Sequence, residues 1–217
     1  MDSLGAIFVS SFVVGLSGAL MPGPVLTLTV AESARGGWVS GPLVAFGHGV
    51  LELLLLVAVM LGLGAFLTSG ASVTAFGLIG GATLILMGAL TVRGAFGSKG
   101  VSFDSMSASP RSSAHATALK GALTSVSNPY WVIWWATIGL GYLAVAGRLG
   151  FYGVAAFYCG HVLSDVLWYT AVGVMVSSGK KALGGRAYVA LLAICGLFLV
   201  FFGGYFMIKG AGRLIPA

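Results

Sequence analysis

The sequence predicts an all-α membrane protein of six transmembrane helices, arranged as two inverted-topology three-helix repeats. The first and fourth helices are broken at proline motifs. Three observations carry the prediction. First, hydrophobic residues make up 58% of the 217-residue chain and charged residues only 7%, whereas a soluble domain is about 25% charged. Second, six apolar stretches each approach or exceed the ~20 residues that cross a hydrocarbon core. Third, a pattern built on rare polar residues recurs at an offset of 113 residues. Together these leave little chain for a soluble domain. They set aside a soluble enzyme, a nucleic-acid binder and a disordered tail. The net charge of +6 then reflects basic loops on one side of a bilayer rather than a nucleic-acid partner.

The first span covers roughly 4–34. No Lys or Arg precedes Arg35, so this stretch lacks the basic start of a signal peptide and reads as a true span. Within it, Met21-Pro22-Gly23-Pro24 cannot continue a regular helix, because two N–H groups are missing and a glycine loosens the backbone between them. The second span, 39–67, carries His48 and Glu52. The third, 71–93, carries Gly77, Gly80, Gly81 and Gly88, small residues suited to close helix contact within a compact bundle or at a homodimer seam. Residues 94–115, rich in Ser and Gly, read as a surface loop.

The fourth span, 116–146, contains Ser127-Asn128-Pro129 and then the aromatic run Tyr130-Trp131-Val132-Ile133-Trp134-Trp135. Most of these rings read as packing or interface anchors. The fifth span, 150–178, carries His161 and Asp165, with Trp168 and Tyr169 one turn on. The sixth is 185–209. Both cysteines, Cys159 and Cys195, lie inside spans as small apolar residues, and no Cys-x-x-Cys pair suggests thiol chemistry. One membrane domain, 1–217, therefore divides into a first repeat (1–93), the 94–115 loop and a second repeat (116–217).

Positive charge sets the orientation. Arg35, Arg93, Lys99, Arg111, Lys120, Lys180, Lys181 and Arg186 follow spans one, three and five, while only Arg148, Lys209 and Arg213 lie on the other side. The positive-inside rule places the 94–115 loop in the cytoplasm and both termini outside.

The repeat aligns Gly47-His48 with Gly160-His161 and Glu52 with Asp165. Leucine or alanine matches between apolar helices arise by chance, but a His followed four residues later by an acid does so far less readily. Three spans is an odd number, so the second copy must enter the membrane from the opposite side. That architecture is frequent in secondary transporters.

The candidate chemistry lies with His48, Glu52, His161 and Asp165. Each acid sits roughly 20 Å into its span at 1.5 Å per residue, and each His shares its helix face at i, i+4. Ionisable groups at that depth face a bundle interior or water and mark ion or proton paths. The alternative is that each pair satisfies itself and pins two helices. Broken helices in matching halves, at Pro22-Gly23-Pro24 and Asn128-Pro129, point to a central substrate site. Glu32 and Arg35, three residues apart, read as a local ion pair at the end of span one, with a gate as the alternative.

At Pro22-Gly23-Pro24 and Asn128-Pro129 the chain resembles the LysE/RhtB-type exporters, and the layout agrees over its whole length. The resemblance implies a plasma (inner) membrane protein of a prokaryote. It further implies proton-driven export of amino acids or related small amines, with Pro22, Gly23, Pro24, Asn128 and Pro129 around the path. No cofactor is implied, and no enzymatic activity. Protons, the lipid bilayer and a small-molecule substrate are the partners. The chain departs from many members in carrying Tyr130 where they have Lys, and in its two Gly-His-x-x-x-acid pairs. Two imidazoles and two carboxylates also suffice as ligands for a divalent metal. A metal-ion transporter using His48, Glu52, His161 and Asp165 is therefore the alternative. An intramembrane protease is a poor fit, since the spacing is not His-Glu-x-x-His.

Overall fold

The computed structural model describes residues 3–67, 69–96, 110–178 and 185–212. Most of the 94–115 loop, together with Lys99, Lys180, Lys181 and Arg213, lies outside them. The described chain is helical, with no strand. Helix α1 (Leu4–Ala19) starts at Ser3, whose hydroxyl accepts the Ala6 N–H at 3.2 Å. Helix α2 (Pro24–Gly36) places proline at its first position, where the missing N–H costs nothing. The two helices meet at 78°, so the Pro-Gly-Pro motif is a break and not a gentle kink. Helix α3 (Ser40–Ala58) runs on to a bend at Gly62, where φ is +113°, a value that glycine adopts without steric cost. A short helix α4 (Gly64–Leu67) follows.

Helices α5 (Gly70–Ala75) and α6 (Gly81–Phe96) form the third apolar rod. Helix α7 (Ala114–Val126) opens at Ser113, whose hydroxyl accepts the Ala116 N–H at 3.2 Å. Asn128 then breaks the chain and caps α8 (Pro129–Trp134) through its own side chain. Helix α9 (Leu140–Ala146) leads to Gly150, at φ +64°. There the chain turns back, so that a Cβ on Gly153 would strike the Ala146 carbonyl. Helices α10 (Gly150–Ser178) and α11 (Gly185–Ala211) complete the order.

Among the described residues, three segments are long and apolar enough to cross a membrane: Ser40–Leu63, Gly70–Gly94 and Tyr130–Ser178. A fourth is added if α1 and α2 form one bent span. The surface agrees with this reading. Leu61, Phe151, Phe201 and Ile208 are exposed, while Glu32, His48, Glu52, His161 and Asp165 are buried. That inversion is costly in water and natural in lipid. Cys159 is a free thiol on the exposed face and not a packing residue.

Packing joins distant parts of the sequence. Helix α1 lies along α10, α3 along both α7 and α10, and α6 along α11. Glycine makes these approaches close. A Cβ on Gly47 would collide with the Ala118 carbonyl of α7, and one on Gly160 with Phe8 and Ser11 of α1. The glycines of the third span form a seam inside the chain: Gly77 faces Gly210, Gly81 faces Gly203 and Gly88 faces Gly196. A contact that sequence reading left open to a homodimer is thus made by α11.

Candidate functional site

The crossing of α3 and α10 sets the site. Gly49 lets α3 approach, since a Cβ there would lie 3.2 Å from Val162. His48 and Glu52 project from α3, and His161 and Asp165 from α10. The four meet in the interior, every one buried. Glu52 Oε1 is the hub. It lies 3.1 Å from His48 Nε2 and 3.0 Å from His161 Nε2. The indole N–H groups of Trp131 and Trp135 donate to the same oxygen at 3.1 and 3.0 Å. Asp165 Oδ2 is less tightly held, 3.7 Å from both imidazole Nε2 atoms. Each His therefore reaches both carboxylates, so the four groups act as one network and not as two self-contained pairs.

Beyond the hub the two imidazoles differ. His48 Nδ1 meets the Ser125 hydroxyl at 2.6 Å, and Ser125 itself donates to the Gly121 carbonyl at 2.8 Å. His161 Nδ1 has no hydrogen-bond partner among the described residues. It is flanked instead by rings, with Trp134 stacked on it at 4.6 Å between centroids. Tyr169 stands edge-on to His48 at 6.5 Å.

These residues border a cavity with about 60 Å³ of room for the centres of water-sized spheres. One water requires only about 10–15 Å³ on that measure. Its lining includes Pro22, Gly23 and Pro24 from the first break, Asn128 from the second, and His48, Glu52, His161 and Asp165. Pro129 stands at the first position of α8. Asn128 also shapes the break itself. Its Oδ1 accepts the Tyr130 N–H at 3.1 Å, so it is first of all a helix cap.

The aromatic run does more than anchor: Trp131 and Trp135 hold the hub carboxylate and Trp134 covers an imidazole. Their spacing contained the signal: 131 and 135 share one helix face, directly after a break.

Glu32 lies apart from this centre, where α2 ends and α7 begins. Its Oε1 pairs with Arg35 at 3.3 Å and with Lys120 of α7 at 2.9 Å. Lys120 also donates to Ser112 at 2.7 Å, and Arg111 to the Arg35 carbonyl at 3.1 Å. The expected local pair is present and extends across to α7. Lys120→Met is expected to lower stability by about 1–2 kcal/mol, since Glu32 is buried but Lys120 is partly solvated. Thermal unfolding in detergent would check this, with Glu32→Gln/Lys120→Met recovering part of the loss.

A family model described as "LysE type translocator" matches residues 16–210, which takes in both breaks and the four residues of the network. The chain belongs to the LysE family. As a LysE-type chain it is an integral membrane protein of the transporter class. A curated relative is 25% identical over 210 residues, covering 96% of this chain and 99% of that protein. It is the Bacillus subtilis (strain 168) protein named "Putative amino acid efflux protein YcgF". No solved structure matches the chain. Within this LysE-type site, His48, Glu52 and Asp165 could each offer one metal-ligand atom, all within 4.8 Å of one another. The imidazole Nε2 atoms are instead turned onto carboxylate oxygens at hydrogen-bonding distance, and Glu52 Oε1 already takes two indole N–H groups.

Proposed function

We propose that the chain is a secondary-active, proton-coupled exporter of amino acids or related small amines, working by alternating access between two inverted repeats. The observation that carries the reading is the convergence of His48, Glu52, His161 and Asp165, from both halves of the chain, at a cavity bounded by two helix breaks. Family membership and the amino acid efflux named for the Bacillus subtilis relative supply the substrate class. The metal-ion alternative is not favoured: the relative's name points to amino acids, and both imidazole Nε2 atoms are turned onto Glu52 Oε1.

Packing supports the inverted repeat. Exchanging residues 1–93 for 116–217 turns the α1–α10 contact into the α7–α3 contact, and turns α3–α10 and α6–α11 into themselves. Six crossings follow if α1 with α2 is one span, α7 with α8 and α9 another, and the chain folds back at Gly150. Tyr130–Ser178, at 49 residues, is too long for one passage of a core about 30 Å thick. Arg35, Arg93, Arg111 and Lys120 then mark the cytoplasmic side and both termini lie outside.

Hydrogen-bond counting supports proton coupling. With Ser125 donating to Gly121, the proton between Ser125 and His48 belongs to His48 Nδ1. A neutral His48 then has a bare Nε2 facing Glu52, and the 3.1 Å contact needs one more proton on either partner. A substrate ammonium brought to Glu52 and Asp165 competes with that proton for the same carboxylates. Loading substrate releases a proton and unloading takes one up, which is antiport.

Counterflow in proteoliposomes, with a panel of amino acids and of zinc and manganese at two internal pH values, tests the reading. Saturable amino-acid exchange, with net efflux driven by an imposed pH gradient, is the expected result. Metal flux with inert amino acids would overturn it.

A further inference from the structure

The polar atoms that the network leaves unused fall into two kinds. Glu52 Oε2 and Asp165 Oδ2 are buried acceptors with no hydrogen-bond partner among the described residues. Trp134 Nε1 is a buried donor in the same condition, and His161 Nδ1, a donor or an acceptor by its tautomer, lies unused beside it. An orphaned buried polar atom is costly, and here all four belong to residues that line the cavity. They also lie close together: Trp134 stacks on His161, whose Nε2 is 3.7 Å from Asp165 Oδ2. Gly18 keeps the space before the indole open, since a Cβ there would come within 3.3 Å of Trp134 Nε1.

We infer that the cavity is built for a zwitterionic α-amino acid with an uncharged, apolar side chain. Its ammonium is received by the free oxygens of Glu52 and Asp165, and its carboxylate by the Trp134 N–H. The inference rests on the exporter reading above and narrows its substrate class. An indole N–H can only donate, so the group it awaits is an acceptor. The free carboxylate oxygens can only accept when ionised, so the group they await is a donor.

The remaining wall selects the side chain. Helices α6 and α11 contribute Leu84, Phe198, Leu199 and Phe202, and no Lys or Arg among the described residues lines the cavity. Phe198 and Phe202 stack at 4.5 Å, with Tyr130 edge-on to Phe202 at 6.0 Å. An apolar side chain gains by leaving water against such a surface. A lysine-like side chain would bring a second cation with no second site, and a glutamate-like one a second anion where both imidazole Nε2 atoms already face Glu52, each at a heavy desolvation cost.

The test uses the full-length protein in proteoliposomes loaded with labelled leucine. Competitors are phenylalanine, lysine, glutamate, leucinamide (no carboxylate) and 4-methylpentanoate (no amine). Phenylalanine is expected to compete, and the other four to fail at tenfold higher concentration. Trp134→Phe keeps the ring and removes the N–H. It is expected to raise the half-saturating leucine concentration roughly ten- to a hundredfold, as for a lost hydrogen bond to a charged group, and to leave leucinamide, already a weak ligand, unchanged. Lysine or glutamate flux equal to that of leucine overturns the substrate class and leaves the exporter reading standing. Equal competition by leucine and leucinamide in the wild-type protein overturns the carboxylate assignment, whatever the fate of the variant. No flux of any amino acid overturns the exporter reading and this inference with it.

Discussion

Glu52→Gln is expected to cut gradient-driven efflux by roughly a hundredfold, equivalent to about 2.7 kcal/mol on the limiting step, while the protein remains folded. Glu52 Oε1 is the atom on which both imidazoles and two indoles converge. Glutamine keeps a carbonyl oxygen that can accept those bonds. The network is therefore weakened but not emptied, at about 1–2 kcal/mol of stability. What is lost is the charge. A neutral amide can neither take up the proton that balances the cycle nor hold an ammonium against water. Exchange of substrate for substrate, with no net proton movement, is expected to fall less than efflux driven by a pH gradient. Size-exclusion profile and thermal unfolding in detergent would establish that the variant is folded. Wild-type efflux from such a variant would mean that Glu52 only pins α3 to α10, and the proposed mechanism would fail.

The parts of this site that could be read from sequence are those where residue type violates its surroundings. His48, Glu52, His161 and Asp165 stand out because charge does not belong in an apolar span, and the doubled Gly-His-x-x-x-acid spacing places them on matching faces. Pro22, Pro24 and Pro129 stand out because proline cannot continue a helix. Parts that match their surroundings stayed hidden. Trp131 and Trp135 look like any membrane aromatics until the break at Asn128 turns one face of α8 toward Glu52. Ser125 looks like a generic small residue until α7 meets α3 and its hydroxyl reaches His48. The reach of Lys120 to Glu32 spans 88 residues, and nothing local in either segment encodes it. Gly47 and Gly160 were visible as repeat markers, but their role is steric and depends on the neighbouring helix.

That steric role supports the second large effect. Gly47→Ala is expected to cost about 3–4 kcal/mol, enough to leave little folded protein. The added Cβ would fall on the Ala118 carbonyl, 2.6 Å from its carbon and 3.1 Å from its Cα. These are backbone atoms of α7, so no rotamer change relieves the overlap and the whole helix must move. The crossing is equally tight in reverse, because a Cβ on Gly121 would fall on the Val44 carbonyl, 3.1 Å from its carbon and from its Cα. Moving α7 away also takes Ser125 from His48, whose contact is 2.6 Å, so any variant that does fold should transport poorly. Gly204→Ala in α11 is the contrast. A Cβ there meets nothing within 4 Å, and alanine's better helix propensity should leave stability unchanged or raise it by up to about 1 kcal/mol. Thermal unfolding of the two variants in detergent reads both outcomes. A Gly47→Ala protein as stable as the wild type would show that α3 and α7 do not cross this closely, and the path from helix packing to the position of His48 would have to be drawn again.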